Sequence, residues 1–170
     1  KFNRFTMKTV RFLRMSTKGL YTYNPADTHE LQASDLYFCE YLWEDDDRST
    51  GTRTSTAMEI DTNDNFFTQV TVASASIGLK LMRKYHIFDQ LHLWGCTTWG
   101  GWLTANAAHN SIQQIYLYSC SILIENPWHT SISGKFLHAS SDPTFAFFVL
   151  KPMSAGVGVS GFKVTGSEFA

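Results

Sequence analysis

Charge is scarce in this sequence. Asp, Glu, Lys and Arg make up 17% of its 170 residues, against about 25% in an ordinary soluble domain. No apolar run approaches the roughly 18 residues that a membrane-spanning helix needs, so no membrane insertion is expected. Cysteine is sparse too. Cys39, Cys96 and Cys120 form no CxxC pair, and three cannot all be bridged. Each lies in an apolar run, as buried free thiols in a reducing compartment do. No Asn-x-Ser/Thr sequon occurs, so nothing points to a glycosylated route. The sequence opens at Lys1 and not at Met, which leads one to expect further residues upstream.

Motifs that carry catalysis or cofactors are equally thin. The histidines His29, His86, His92, His109, His129 and His138 make no HExxH or HxxxH. His92, on a predicted strand, is the one conceivable metal ligand, and a surface or interface role suits it better. Gly156–Gly161 spells GxGxxG, but only nine residues follow it. That leaves no room for the helix and second strand of a dinucleotide site. Asp61–Asn65 starts like a calcium loop, yet Phe66 and Val72 stand where it needs Gly and Glu. No nucleophile is paired with a base. The expectation is no enzyme, no metal and no cofactor.

What is abundant is apolar and aromatic: 44% and 15% of the chain. Little charge and many aromatics suggest surface covered by partners. The charge that exists is segregated. Lys1, Arg4, Lys8, Arg11, Arg14 and Lys18 meet no acid over residues 1–18. Glu40, Glu44, Asp45, Asp46 and Asp47 meet no base over residues 40–47. Bases interleaved with Phe5, Phe12 and Met15 suit phosphates and unstacked nucleobases, which makes the six bases candidate nucleic-acid contacts.

The chain reads as about eight strands with turn signals between them. Strands are predicted near 5–15, over Leu36–Trp43, Phe66–Val72, Ile87–Trp94, Ile112–Glu125, Ile132–Ala139, Phe145–Leu150 and Phe162–Thr165. In Phe66–Val72, alternation puts Phe66, Val70 and Val72 on one face. In Ile87–Trp94 it puts Ile87, Leu91 and Leu93 together. Ile77, Leu81 and Tyr85 recur at four-residue steps, which predicts one short helix. Long loops are expected at 44–65, with a short strand possible at Ala57–Ile60, and at 97–110. No internal repeat and no linker stand out, so residues 1–170 form one domain, an all-β sandwich or barrel.

Two stretches carry a resemblance. Val10-Arg11-Phe12-Leu13-Arg14 is a basic first strand, and Ile87-Phe88-Asp89-Gln90-Leu91-His92-Leu93-Trp94 is similar to the "FDQYRI" strand of circovirus-like capsid proteins. With Phe66–Val72 and a helix at Leu79–Tyr85 between them, the layout resembles a single jelly-roll coat protein of a small icosahedral virus, whether a single-stranded DNA virus or a satellite virus. The resemblance implies an eight-stranded jelly-roll sandwich with one short helix. It implies self-assembly of identical subunits, most simply sixty in a T=1 shell, around viral nucleic acid. The virion is the implied location, with assembly in the host cell, in the nucleus for a DNA virus. A host receptor is a possible further partner, and an arginine-rich arm upstream of Lys1 is part of the pattern. Trp43, Trp99, Trp102 and Trp128 are then interface or surface-loop residues. The competing expectation is a trimeric jelly-roll ligand or carbohydrate- or receptor-binding module, with its site around Trp99, Trp102 and Trp128.

Overall fold

The computed structural model describes residues 3–23, 29–40, 53–138, 145–151 and 160–169. They form twelve strands in one curled sheet, with no helix among them. In order these are β1 (Asn3–Leu13), β2 (Lys18–Tyr23), β3 (His29–Cys39), β4 (Thr56–Asp61), β5 (Phe66–Leu81) and β6 (Ile87–Trp94). Then follow β7 (Cys96–Leu103), β8 (Ser111–Tyr118), β9 (Ile122–Ile124), β10 (Ser131–Leu137), β11 (Phe148–Leu150) and β12 (Lys163–Phe169).

Every paired strand runs parallel to its neighbour. One layer, sheet A, stacks β1, β3, the first half of β5, β6, β8, β10 and β12. Facing it, sheet B stacks β2, β4, the second half of β5, β7, β9 and β11. The chain passes through sheet A, turns into sheet B and returns one strand further along. It is therefore a parallel β-solenoid of seven coils, the last holding only β12. Each coil contacts mainly its neighbours, as in other repeat architectures. The all-β, two-layered expectation holds at that level. The antiparallel, eight-stranded jelly roll and the helix do not.

The helix was misread because Leu79 and Leu81 also sit two residues apart, and a short apolar run fits either period. Both are buried in β5, between β4 and β7, which supply the ladder hydrogen bonds. The first half of the 97–110 loop is strand β7. Its Gly100-Gly101 is a packing requirement, since a Cβ on Gly100 would lie 2.8 Å from Cys120 Cβ. The predicted strand Ile112–Glu125 is two strands, β8 and β9. Ser119, at φ 48°, turns the corner between them.

Corners explain the mistaken strand phases as well. Thr9, Asp35, Gln69, Gln90 and Gln114 all have φ between 50° and 57° and stand side by side in the register of sheet A. One left-handed residue bends each strand and shifts its alternation by one. Phe67, Val70 and Val72 point inward, while Phe66 is exposed. Phe88, Leu91 and Leu93 do likewise, with Ile87 outside.

The core is built of rows that climb the solenoid. One runs through Ala33, Phe67, Phe88, Ile112 and Ile132; another runs through Phe38, Val72, Leu93, Leu117 and Phe136. Rings in register stack face to face, Phe12 on Phe38 at 4.5 Å and Phe67 on Phe88 at 4.6 Å between centroids. A polar row of Asn65, His86, Asn110 and Thr130 lines one inner corner. There Asn65 Oδ1 accepts from Leu31 N at 2.8 Å and Asn110 Oδ1 from His86 N at 3.0 Å, tying coil to coil. Cys39, Cys96 and Cys120 are buried and in no disulfide, as the sequence suggests.

Candidate functional site

The bases of β1 and β2 do not converge. Arg4 forms an ion pair with Glu30 at 3.2 Å, and Lys18 one with Glu59 at 2.8 Å. Arg11 lies over the Tyr37 ring, 5.6 Å from its centroid. Arg4 and Lys8 point out before the left-handed corner at Thr9, Arg11 after it, Arg14 lies at the next corner, and Lys18 belongs to sheet B. They are spread around the rim of the first coil. Lys1 falls outside the described residues, as does Trp43.

Nor do the tryptophans gather. Trp99 and Trp102 are half-buried on sheet B, with Lys80 Nζ 5.0 Å from the Trp102 ring. Trp128 sits exposed on another corner, beside His109 and His129. Tyr85, His109 and His129 stack there one coil apart, with centroids 5.1 and 5.0 Å apart. Their faces are spent on one another. His92 has no metal partner: among the described residues no three His, Cys, Asp or Glu side chains gather as a metal site would need.

A different surface does come together. The left-handed corner column and the outward row next to it flank a shallow groove of about 670 Å³. Asp35, Gln69, Gln90 and Gln114 form one side, and Thr71, His92 and Tyr116 the other, with Leu91 between. Because adjacent parallel strands lie about 4.8 Å apart, the three glutamine amides repeat at that interval along coils three to five, with Asp35 on coil two. The corner geometry forces this: each corner residue is solvent-exposed, where a long amide can lean over the neighbouring face. The His92 and Tyr116 rings meet edge to face at 4.6 Å. Burial lowers the pKa of His92, which keeps the imidazole uncharged at neutral pH. Gln114 and Tyr116 also border a separate, smaller depression of about 350 Å³, lined on its far side by Gly134 and Lys135.

Apart from His92, no residue of the groove is named as a candidate ligand contact by the sequence reading, yet the signal is present. Phe67-Thr-Gln-Val-Thr-Val72, Phe88-Asp-Gln-Leu-His-Leu93 and Ile112-Gln-Gln-Ile-Tyr-Leu117 are one motif at steps of 21 and 24 residues. Ala33-Ser-Asp-Leu-Tyr-Phe38 and Met7-Lys-Thr-Val-Arg-Phe12 are earlier copies. The expectation of no internal repeat is corrected accordingly. The Phe-Asp-Gln stretch that supports the coat-protein resemblance is one copy of this repeat. No family model, curated protein or solved structure matches this chain.

Proposed function

We propose that this chain is a binding module for an extended carbohydrate, laid along the solenoid axis in the groove of coils two to five. The observation that carries the proposal is the lining. Amides at regular intervals can both donate to and accept from hydroxyl groups. Tyr116 and His92 offer ring surface to the C–H faces of a sugar. A few polar groups placed over apolar ground are what ligand sites use for orientation, and stacked coils present them as an extended surface. This keeps the carbohydrate-binding alternative of the sequence reading, on another fold and at another site.

The test is affinity electrophoresis through gels cast with soluble polysaccharides. The intact chain is retarded by at least one of them. Gln90→Asn with Gln114→Asn, which suits the left-handed backbone but withdraws the amides by one methylene, relieves the retardation. Retardation that persists unchanged in this variant contradicts the groove as the site.

A self-assembling coat protein that packages nucleic acid is the second reading. One observation favours it: among the described residues β1 pairs with β3 alone, and Lys8, Arg11 and Arg14 are exposed on that coil. The resemblance behind it is carried by Val10–Arg14, Phe66–Val72, a helix at Leu79–Tyr85 and Ile87–Trp94, and the parallel pairing of these strands leaves the exposed bases as its main support. Purified protein that elutes as a megadalton particle with excess absorbance at 260 nm supports it over carbohydrate binding.

A further inference from the structure

From the groove's charges and its length along the axis we infer that its ligand is an uncharged glycan, bound over four sugar residues with one ring to each coil. The inference rests on the carbohydrate-binding reading and specifies the ligand of that same site.

Charge comes first. Among the lining residues Asp35 alone is charged, and no Lys or Arg lines the groove. A uronate, sulfate or phosphate chain lying there meets neutral amides, two hydroxyls, an uncharged imidazole and one carboxylate. Its anions lose water and gain no cation, and that loss is unfavourable. The cations of this outward row lie beyond the two ends: Arg11 beside Tyr37 before it, Lys135 beside Tyr116 after it. Hydroxyls and acetamido groups have no such difficulty, because a primary amide satisfies either.

Length follows from the ends of the column. Asp35, Gln69, Gln90 and Gln114 occupy four successive coils. On the first coil the corner residue is Thr9, too short to extend the side. On the sixth the register of β10 on β8 shifts between Ile132 and Gly134, so that Gly134 stands opposite Ile115, one residue past the Gln114 corner. A Cβ at Gly134 would collide with the Ile115 carbonyl oxygen, so no side chain can continue the column there. The coil spacing of about 4.8 Å is close to the advance of one pyranose ring in an extended chain. A ring therefore stays in step with the column over all four coils, meeting Asp35 on the first of them and an amide on each of the other three.

The experiment is titration calorimetry of the intact chain with neutral oligosaccharides of glucose, mannose, galactose and N-acetylglucosamine. Each runs from disaccharide to hexasaccharide, beside oligogalacturonates of the same lengths. The expected result is an affinity that rises with each residue to the tetrasaccharide of one neutral series and then levels off. Oligogalacturonates of equal length bind at least about tenfold more weakly, a difference well inside the range such titrations read. Tighter binding of the acidic series, or affinity that still climbs from tetrasaccharide to hexasaccharide, overturns this inference. The groove itself then still stands if Gln90→Asn with Gln114→Asn weakens that binding. Binding of no series, or binding that this variant leaves unchanged, removes the carbohydrate-binding reading and the inference with it.

Discussion

His86 shows how a single buried residue couples the fold to pH. Its ring lies in the interior row, wholly buried, with Nδ1 3.2 Å from Asn65 Nδ2 and Nε2 without a hydrogen-bond partner among the described residues. Burial lowers its pKa from 6.5 to about 3. Above pH 6.5 the ring is neutral in both folded and unfolded chains and contributes no pH dependence. As pH falls below 6.5 the unfolded chain takes up a proton that the folded chain refuses, so stability is lost progressively towards pH 3. The loss approaches about 1.4 kcal/mol per pH unit, or about 2 kcal/mol between pH 6.5 and pH 5. Urea unfolding of His86→Asn at those two pH values is expected to show a smaller drop than the unaltered chain; equal drops would place the titrating group elsewhere. Gly100 makes a second residue-scale case. Gly100→Ala forces a Cβ against Cys120 and Leu117 and is expected to cost about 1–3 kcal/mol, read as a lower urea midpoint at unchanged slope.

At the scale of a strand, the decisive event is the single left-handed residue. Leu91 and Leu93 are buried on one side of the Gln90 corner and Phe88 on the other. Leu93→Asp therefore buries an unpaired charge and is expected to abolish soluble protein. Phe88→Ala opens a hole in a stacked row and is expected to cost about 3–5 kcal/mol. Gln90→Val, a β-branched residue at φ 57°, is expected to cost more than Gln90→Asn; the reverse order in thermal melts would contradict the corner. The same residue limited what the sequence disclosed. Alternation on each side of Gln69 and Gln90 is plain, so the strands Phe66–Val72 and Ile87–Trp94 are legible. A period-two reading carried straight across the corner inverts half of each strand, and Phe66 and Ile87 are misplaced for that reason. Pairing is less legible still, because alternation does not distinguish a parallel from an antiparallel neighbour. The groove needs the coil repeat, and unequal steps between copies obscure it.

For the molecule as a whole, coil-on-coil construction makes stability nearly one-dimensional. Among the described residues the central coils hold partners on both sides, and β1 holds one, on β3. Native-state hydrogen exchange is expected to be slowest in β5, β6 and β8 and fastest in β1. Uniform protection along the chain would contradict nearest-neighbour stacking. The first coil also leaves apolar surface at the solenoid's end, where Phe5, Met7, Leu20 and Tyr23 line an opening of about 280 Å³. The groove, by contrast, lies along the best-supported coils, where a ligand meets a surface held rigid from both sides.

The most direct test of that arrangement is a side-chain amide spectrum of 15N-glutamine-labelled protein, recorded while a retained neutral oligosaccharide is added. If the groove is the site, the amide signals of Gln69, Gln90 and Gln114 shift together and saturate, while those of Gln32 and Gln113, outside the lining, stay in place. A saturating titration that leaves the three groove amides unmoved would contradict the account.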